Sequence, residues 1–223
     1  MLEAIRDKLQ KEPLKWRVIT NILIVTGCRR GEIMGLKWSA VDFEKRALHI
    51  RNNLLYEAEI GVYQDTPKTV TSNRIVILPD ETFELLEKYH NWWQKLRKDC
   101  GASWHEYIQI PDGKGEIHEE KADFLFLQEK NMEKLGYPMN PDSITDYLDK
   151  FSKREGLPHI NPHAFRHTLA TQLGFNGVDI VTISKWLGHN NATTTLNIYQ
   201  HLRERSKEEV VNCVSNVILK KKA

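Results

Sequence analysis

Six residues spread along this chain have the types needed to move a phosphoryl group: Arg29, Lys68, His163, Arg166, His189 and Tyr199. Two guanidiniums can grip the non-bridging oxygens of a phosphodiester bidentately. A histidine adds a further donor. Transfer at phosphorus needs positioning, charge stabilisation around the equatorial oxygens and an in-line nucleophile. A tyrosine hydroxyl can be that nucleophile, because surrounding cations bring its phenoxide within reach. A lysine can protonate the departing alkoxide. With arginines supplying positive charge, the scheme calls for no metal and no other cofactor.

Each residue also has an ordinary structural explanation. Arg29 can pair with Glu32, Lys68 can be a solvated turn residue, His163 can start a helix and Tyr199 can pack in the core. His163 and His167 stand at i, i+4, the spacing of a zinc-binding helix pair. The general-base glutamate of that motif would fall where Ala164 stands, and no cysteine or carboxylate lies nearby at ligand spacing. A protein-bound metal is therefore not expected.

The composition is that of a globular chain. Its 223 residues suffice for a sizeable core, with 40% hydrophobic and 28% charged. No apolar run has the length of a membrane span, and the first residues lack the apolar segment of a secretory signal. Cys28, Cys100 and Cys213 are an odd set without CxxC spacing, which argues against a disulfide scaffold and suits a reducing cytosol. The net charge is only +2, but it is unevenly placed. Residues 1–80 carry 13 basic against 10 acidic side chains, residues 81–140 carry 8 against 12, and residues 141–223 carry 11 against 8. The two basic flanks could share a face that meets a polyanion.

The elements that must position these residues are mostly helical. Residues 14–26 place Trp16, Ile19, Leu23 and Ile24 on one stripe and end at Gly27. A short helix follows within RRGEIMGLKW. Three β-like runs come next, at 47–57, 62–68 and 72–79, and predict a small three-stranded antiparallel sheet. Residues 79–101 read as a long amphipathic helix. Residues 102–139 are ambiguous, with turn signals in PDGKGE and a strand candidate in DFLFLQ. Asn140–Pro141 and Asn161–Pro162 open two further helices, and Asp179 opens another that breaks at Gly188. A last helix spans about 203–222, with Val210, Val211, Val214, Val217 and Ile218 on one stripe.

Four segments, in this order, resemble the catalytic domain of the tyrosine recombinase (phage integrase) family. TGCRRGEIMGLKW is similar to its first arginine box, TPKTVTSNRIVIL to its β-hairpin lysine segment, HAFRHTLAT to its HxxR box and LGHNNATTTLNIYQH to its closing His-to-Tyr segment. Together they span about residues 14–201. The resemblance implies an α+β, mainly α-helical fold, the DNA breaking-rejoining catalytic fold with its small three-stranded antiparallel sheet. It implies a site-specific recombinase of a mobile element that cleaves and rejoins DNA through a 3′-phosphotyrosine, without metal or ATP. Type IB topoisomerase-like relaxation and a catalytically silent DNA-binding module are the alternatives.

Residue by residue, the resemblance implies that Tyr199 is the nucleophile, Arg29 and Arg166 clamp the scissile phosphate, and His189 donates to it. Lys68 protonates the departing 5′-oxygen, and His163 assists proton transfer or orients the phosphate. Glu32, Arg74, His167 and His201 are supporting residues. The implied partners are double-stranded DNA at attachment sites, further copies of the chain in a tetramer on that DNA, and accessory DNA-bending proteins. The implied location is the bacterial or phage-host cytoplasm, at the nucleoid when active. The expected organisation is one catalytic domain over 1–223 with a C-terminal helix or tail at 203–223, a fragment lacking the N-terminal helical domain of full-length members. The acidic stretch near 99–139 matches no motif and reads as a peripheral insertion.

Overall fold

A computed structural model describes residues 2–65, 73–129 and 131–188. Lys68, His189, Tyr199, His201 and the expected helix at 203–222 lie outside the described residues.

Helix α1 (Leu2–Leu9) leads to α2 (Leu14–Thr26), whose Val18, Ile19, Ile22 and Leu23 are buried at helical spacing. Gly27 closes α2 in the left-handed conformation, at φ 61°. The short α3 (Arg30–Met34) follows at once. After a single 3₁₀ turn, the strands β1 (Val41–Asp42), β2 (Ala47–Ile50), β3 (Asn53–Glu57), β4 (Gly61–Asp65) and β5 (Arg74–Ile77) precede the long α4 (Asp80–Cys100). Acidic residues open α4 and basic residues close it, as its dipole favours. The hairpin β6 (Tyr107–Pro111) and β7 (Ile117–Lys121) comes next. Helices α5 (Asp142–Glu155), α6 (Pro162–Phe175) and α7 (Ile180–Leu187) complete the described chain.

The three-stranded antiparallel sheet is present, but with a different membership from the one expected. Its order is β1-β2-β5, with Ala47 opposite Ile77 and Leu48 opposite Val76. The 47–57 run is two strands, not one. Its second half, β3, leaves the sheet and pairs with β4, from Asn53–Asp65 to Glu57–Gly61. The reason is the passage of β3 over α3. A Cβ on Gly31 would stand 2.3 Å from the Leu54 carbonyl oxygen, and one on Gly35 would stand 2.9 Å from that of Asn52. Only bare backbone on α3 lets the strand come this close.

The stretch at 99–139, expected as a peripheral insertion, is one only in part: residues 113–119 are exposed, but 124–127 lie inside. Phe124, Leu125, Phe126 and Leu127 are fully buried in the main core beside Trp93, Trp104, Ile108 and Ile110. The Leu125 N–H donates to the Leu36 carbonyl at 2.9 Å, and the Trp93 indole donates to the Phe124 carbonyl at 3.1 Å. The acidic side chains are spread along the stretch, with Glu119 and Glu120 on β7, while DFLFLQ threads the interior. A smaller core of Ala170, Ile183 and Leu187 joins α6 to α7. Among the described residues, no helix is long and apolar enough to cross a membrane.

Candidate active site

The end of α2 and the start of α6 meet at one cleft of about 460 Å³. Cys28, Arg29 and Arg30 line it from the α2–α3 junction, Thr145 from α5, and His159, Asn161, His163 and Arg166 from the segment that enters α6. Two local rules place the α6 groups. The Asn161 side chain accepts the Ala164 N–H at 2.8 Å, and Pro162 stands in the first turn, so α6 starts at a fixed point. His163 and Arg166 then fall one turn apart on the same face. The positive end of the α6 dipole also faces an anion bound here.

Arg29 is the residue immediately before α3. Its backbone N–H donates to Glu32 Oε2 at 2.9 Å, and its Nη1 donates to Glu32 Oε1 at 2.8 Å. Glu32 is almost wholly buried and also receives Arg74, with Nη2 at 2.8 Å and Nη1 at 3.2 Å. One carboxylate thus joins an exposed arginine just before α3 to a buried one on β5. Burial pushes the Glu32 pKa up, but the hydrogen bonds and charge of Arg74, then those of Arg29, outweigh it and hold the pKa below the usual carboxylate value.

Arg166 is buried, and its Nη1 donates to the Gly27 carbonyl at 2.8 Å. That bond ties α6 to the closing residue of α2. Burial, and next the positive charge of Arg29, push the Arg166 pKa down to about 10. It remains charged at neutral pH. Cys28 sits fully buried below, 3.4 Å from Arg74 Nη2, and burial first of all raises its pKa to about 11. It is a neutral thiol at pH 7 and a weak nucleophile.

Helix α7 ends on this network. Gly188 closes it at φ 66°, and a Cβ there would stand 2.6 Å from Arg74 Nη1. The chain therefore leaves α7 directly beside the Arg74–Glu32 pair.

Of the six residues singled out from sequence, the structure gathers Arg29, His163 and Arg166 in one cleft. Glu32 and Arg74 support them from behind. His167 is exposed on α6 and does not line the cleft. Sequence reasoning passed over Arg30, Thr145 and His159. Adjacency to Arg29 was the available signal for Arg30, and proximity to the Asn161 cap the signal for His159. Among the described residues, one cluster has metal-like grouping, Asp112, Glu116 and His118. It lies away from the cleft in the β6–β7 turn, where Asp112 Oδ1 is occupied by the N–H groups of Lys114 and Glu116.

The cleft thus brings together an exposed arginine braced by a carboxylate, a buried arginine held by a backbone carbonyl, and a histidine at a helix start, groups that can bind an anion. Comparison with known families gives this geometry a place, with a match to the phage integrase family over residues 1–206. The chain belongs to the phage integrase family. It is 27% identical over 220 residues to a XerC-like tyrosine recombinase of Caldanaerobacter subterraneus, covering 94% of this chain and 52% of that protein. It is 34% identical over 182 residues to the transposase of transposon Tn916 from Enterococcus faecalis, covering 81% and 40%. Among solved structures, the Tn1549 transposon integrase in complex with a circular intermediate DNA superposes with a TM-score of 0.69 at 27% identity, covering 88% of this chain and 58% of that one. The chain thus spans about half the length of the curated integrase-family relatives it matches.

Proposed function

We propose that this chain is the catalytic domain of a site-specific DNA recombinase, an integrase of a mobile element that breaks and rejoins strands through a covalent phosphotyrosine. The observation that carries the reading is the convergence of Arg29, His163 and Arg166 on one open cleft, braced by Glu32, in a member of the phage integrase family.

Arg29 and Arg166 bind the non-bridging oxygens of the scissile phosphate, with His189 as a further donor. His163 accepts the Tyr199 hydroxyl proton as the tyrosyl oxygen attacks phosphorus in line. The new bond joins phosphorus to the tyrosyl oxygen, and the bond from phosphorus to the 5′-oxygen breaks. Lys68 gives that oxygen its proton. The phosphotyrosyl ester conserves the free energy of the broken diester, so a 5′-hydroxyl from another strand can attack it and restore Tyr199 without a nucleotide cofactor. The domain is read as one unit over 1–223 with a tail at 203–223. It works on double-stranded DNA as an assembly of four copies, aided by DNA-bending proteins, in the cytoplasm of a bacterial cell.

A DNA duplex nicked beside the scissile phosphate tests this reading, because the short 5′-strand diffuses away and traps the intermediate. Candidate attachment sites come from the ends of the element that encodes the chain. The wild-type chain is expected to form a covalent adduct that resists denaturation, and Tyr199→Phe is expected to form none. An adduct that persists in Tyr199→Phe removes Tyr199 from the mechanism.

A further inference from the structure

The proposed chemistry uses the inner wall of the cleft and leaves its outer lip unexplained. Arg30, Thr145 and His159 stand there. Their placement follows from one face of α5. Asp142, Thr145 and Asp149 are spaced three and four residues apart, so they lie along a single stripe. Each carboxylate of the stripe faces one cation of the lip. Arg30 Nη1 lies 2.6 Å from Asp142 Oδ1, and His159 Nδ1 lies 3.5 Å from Asp149 Oδ1, a contact that becomes an ion pair when the imidazole is protonated. Thr145 sits between the two carboxylates with its hydroxyl-bearing side chain on the cleft.

Both cations stay open to solvent, with side chains 49% exposed for Arg30 and 63% for His159. Ion pairs this exposed contribute little to stability. They do restrict where the cation can go. The contact to Asp142 takes one of the five N–H donors of Arg30, so the rest of the guanidinium fork remains for an incoming ligand. Among the described residues, no Phe, Tyr or Trp lines the cleft.

We propose that Arg30, Thr145 and His159 form a second phosphate subsite, which takes a DNA backbone phosphate flanking the scissile one. The inference rests on the reading of this chain as a DNA-cleaving domain. Arg30 grips the flanking phosphate with its free donors, Thr145 donates its hydroxyl, and His159 adds charge when protonated. Such contacts fix the register of the strand without reading sequence. The carboxylates of α5 lower the net charge of the lip.

The test measures binding of the full chain to a fluorescent mixed-sequence duplex across about 50–200 mM salt. For Arg30→Ala, affinity at low salt is expected to fall about tenfold, the effect of one charge-assisted hydrogen bond. The slope of log K against log salt is expected to shrink by about 0.9, the effect of one released phosphate contact. Asp142→Asn breaks the same ion pair from the other side and is expected to tighten binding. Opposite directions in these two variants support the subsite. A weakening of the same sign in both means that the pair only holds α3 against α5, and overturns it. An unchanged salt slope in Arg30→Ala, with wild-type binding intact, also overturns the subsite and leaves the recombinase reading standing. A wild-type chain that neither binds the duplex nor forms the tyrosyl adduct overturns both. In adduct formation on nicked DNA, the Arg30→Ala loss is expected as a higher DNA concentration for half-maximal rate, whereas loss of Arg166 lowers the rate at saturating DNA.

Discussion

Replacing Glu32 with alanine removes the one carboxylate that Arg29 and Arg74 share. Arg74 is the side that decides stability. Its side chain is only 6% exposed, and both of its Nη atoms bond to Glu32. Breaking a buried pair by removing one partner costs about 3–5 kcal/mol, because the other charge is left in a poor solvent. In a domain of this size, each kcal/mol shifts the melting temperature by about 2–4 °C. The expected drop in Tm is therefore roughly 6–20 °C. Arg29 is the side that decides chemistry. It loses the acceptor for both its backbone N–H and its Nη1, so its guanidinium is no longer held toward the cleft. Misplacement by about an ångström can lower a rate by about 10²-fold. The Tm is read by circular dichroism, and the rate by covalent adduct formation on nicked DNA well below the variant's Tm. Glu32→Gln, which keeps the shape and one acceptor oxygen, is expected to fall between wild type and Glu32→Ala in both. A Glu32→Ala chain that melts within 2 °C of wild type, against the 2–4 °C of a single kcal/mol, refutes the claim that this carboxylate neutralises buried Arg74. A variant that loses stability but cleaves at the wild-type rate refutes its role in aiming Arg29.

The Glu32 pKa is depressed in the folded chain, so its contribution is fully present above its unfolded pKa of about 4.3 and is lost as pH falls through the folded value. The stability gap between wild type and Glu32→Gln, from urea unfolding, is expected to be constant near neutral pH and to shrink below about pH 4. Arg166→Ala is expected to slow adduct formation at saturating DNA by at least about 10²-fold, the usual cost of removing one donor to a developing oxyanion. Gly31→Ala puts a methyl against Asn53 Oδ1 and the Leu54 carbonyl, and is expected to cost about 1–3 kcal/mol in denaturant unfolding. A neutral Gly31→Ala would mean that β3 does not cross α3 this closely.

The sequence makes the helices legible because their ends are marked by local chemistry. Asn161 with Pro162, Asp179 and the glycines after α2, α5 and α7 act within one turn of themselves. The Arg29–Glu32 pair is legible for the same reason, a separation of three residues. The Arg74–Glu32 bridge spans 42 positions and leaves no periodic trace. The break between β2 and β3 has no glycine or proline of its own. Its cause sits on another element, at Gly31 and Gly35. Hairpin β6–β7 was obscured because β7, Ile117–Lys121, is exposed along nearly its whole length and so lacks the alternation of a half-buried strand. The run from Phe124 to Leu127 reads as a short strand candidate, but nothing local says that it lies inside the main core.

The charge of the assembled site has a chemical consequence. Three guanidiniums, Arg29, Arg74 and Arg166, surround one carboxylate, Glu32, and leave a balance of two positive charges. A bound phosphodiester carries one negative charge. Attack by a tyrosyl phenoxide brings the total at phosphorus to two. Among the described residues, this balance equals the charge proposed at phosphorus during attack and exceeds that of the bound diester, the difference that speeds a step rather than only binding the strand. Burial and the charge of Arg29 both work against the charge of Arg166 and depress its pKa. Incoming negative charge relieves that opposition, and more so as the phenoxide arrives. Glu32 is then more than a brace. Without it the three guanidiniums would carry three uncompensated positive charges. A single buried carboxylate therefore both holds Arg29 against Arg74 and lowers the charge that the arginines present.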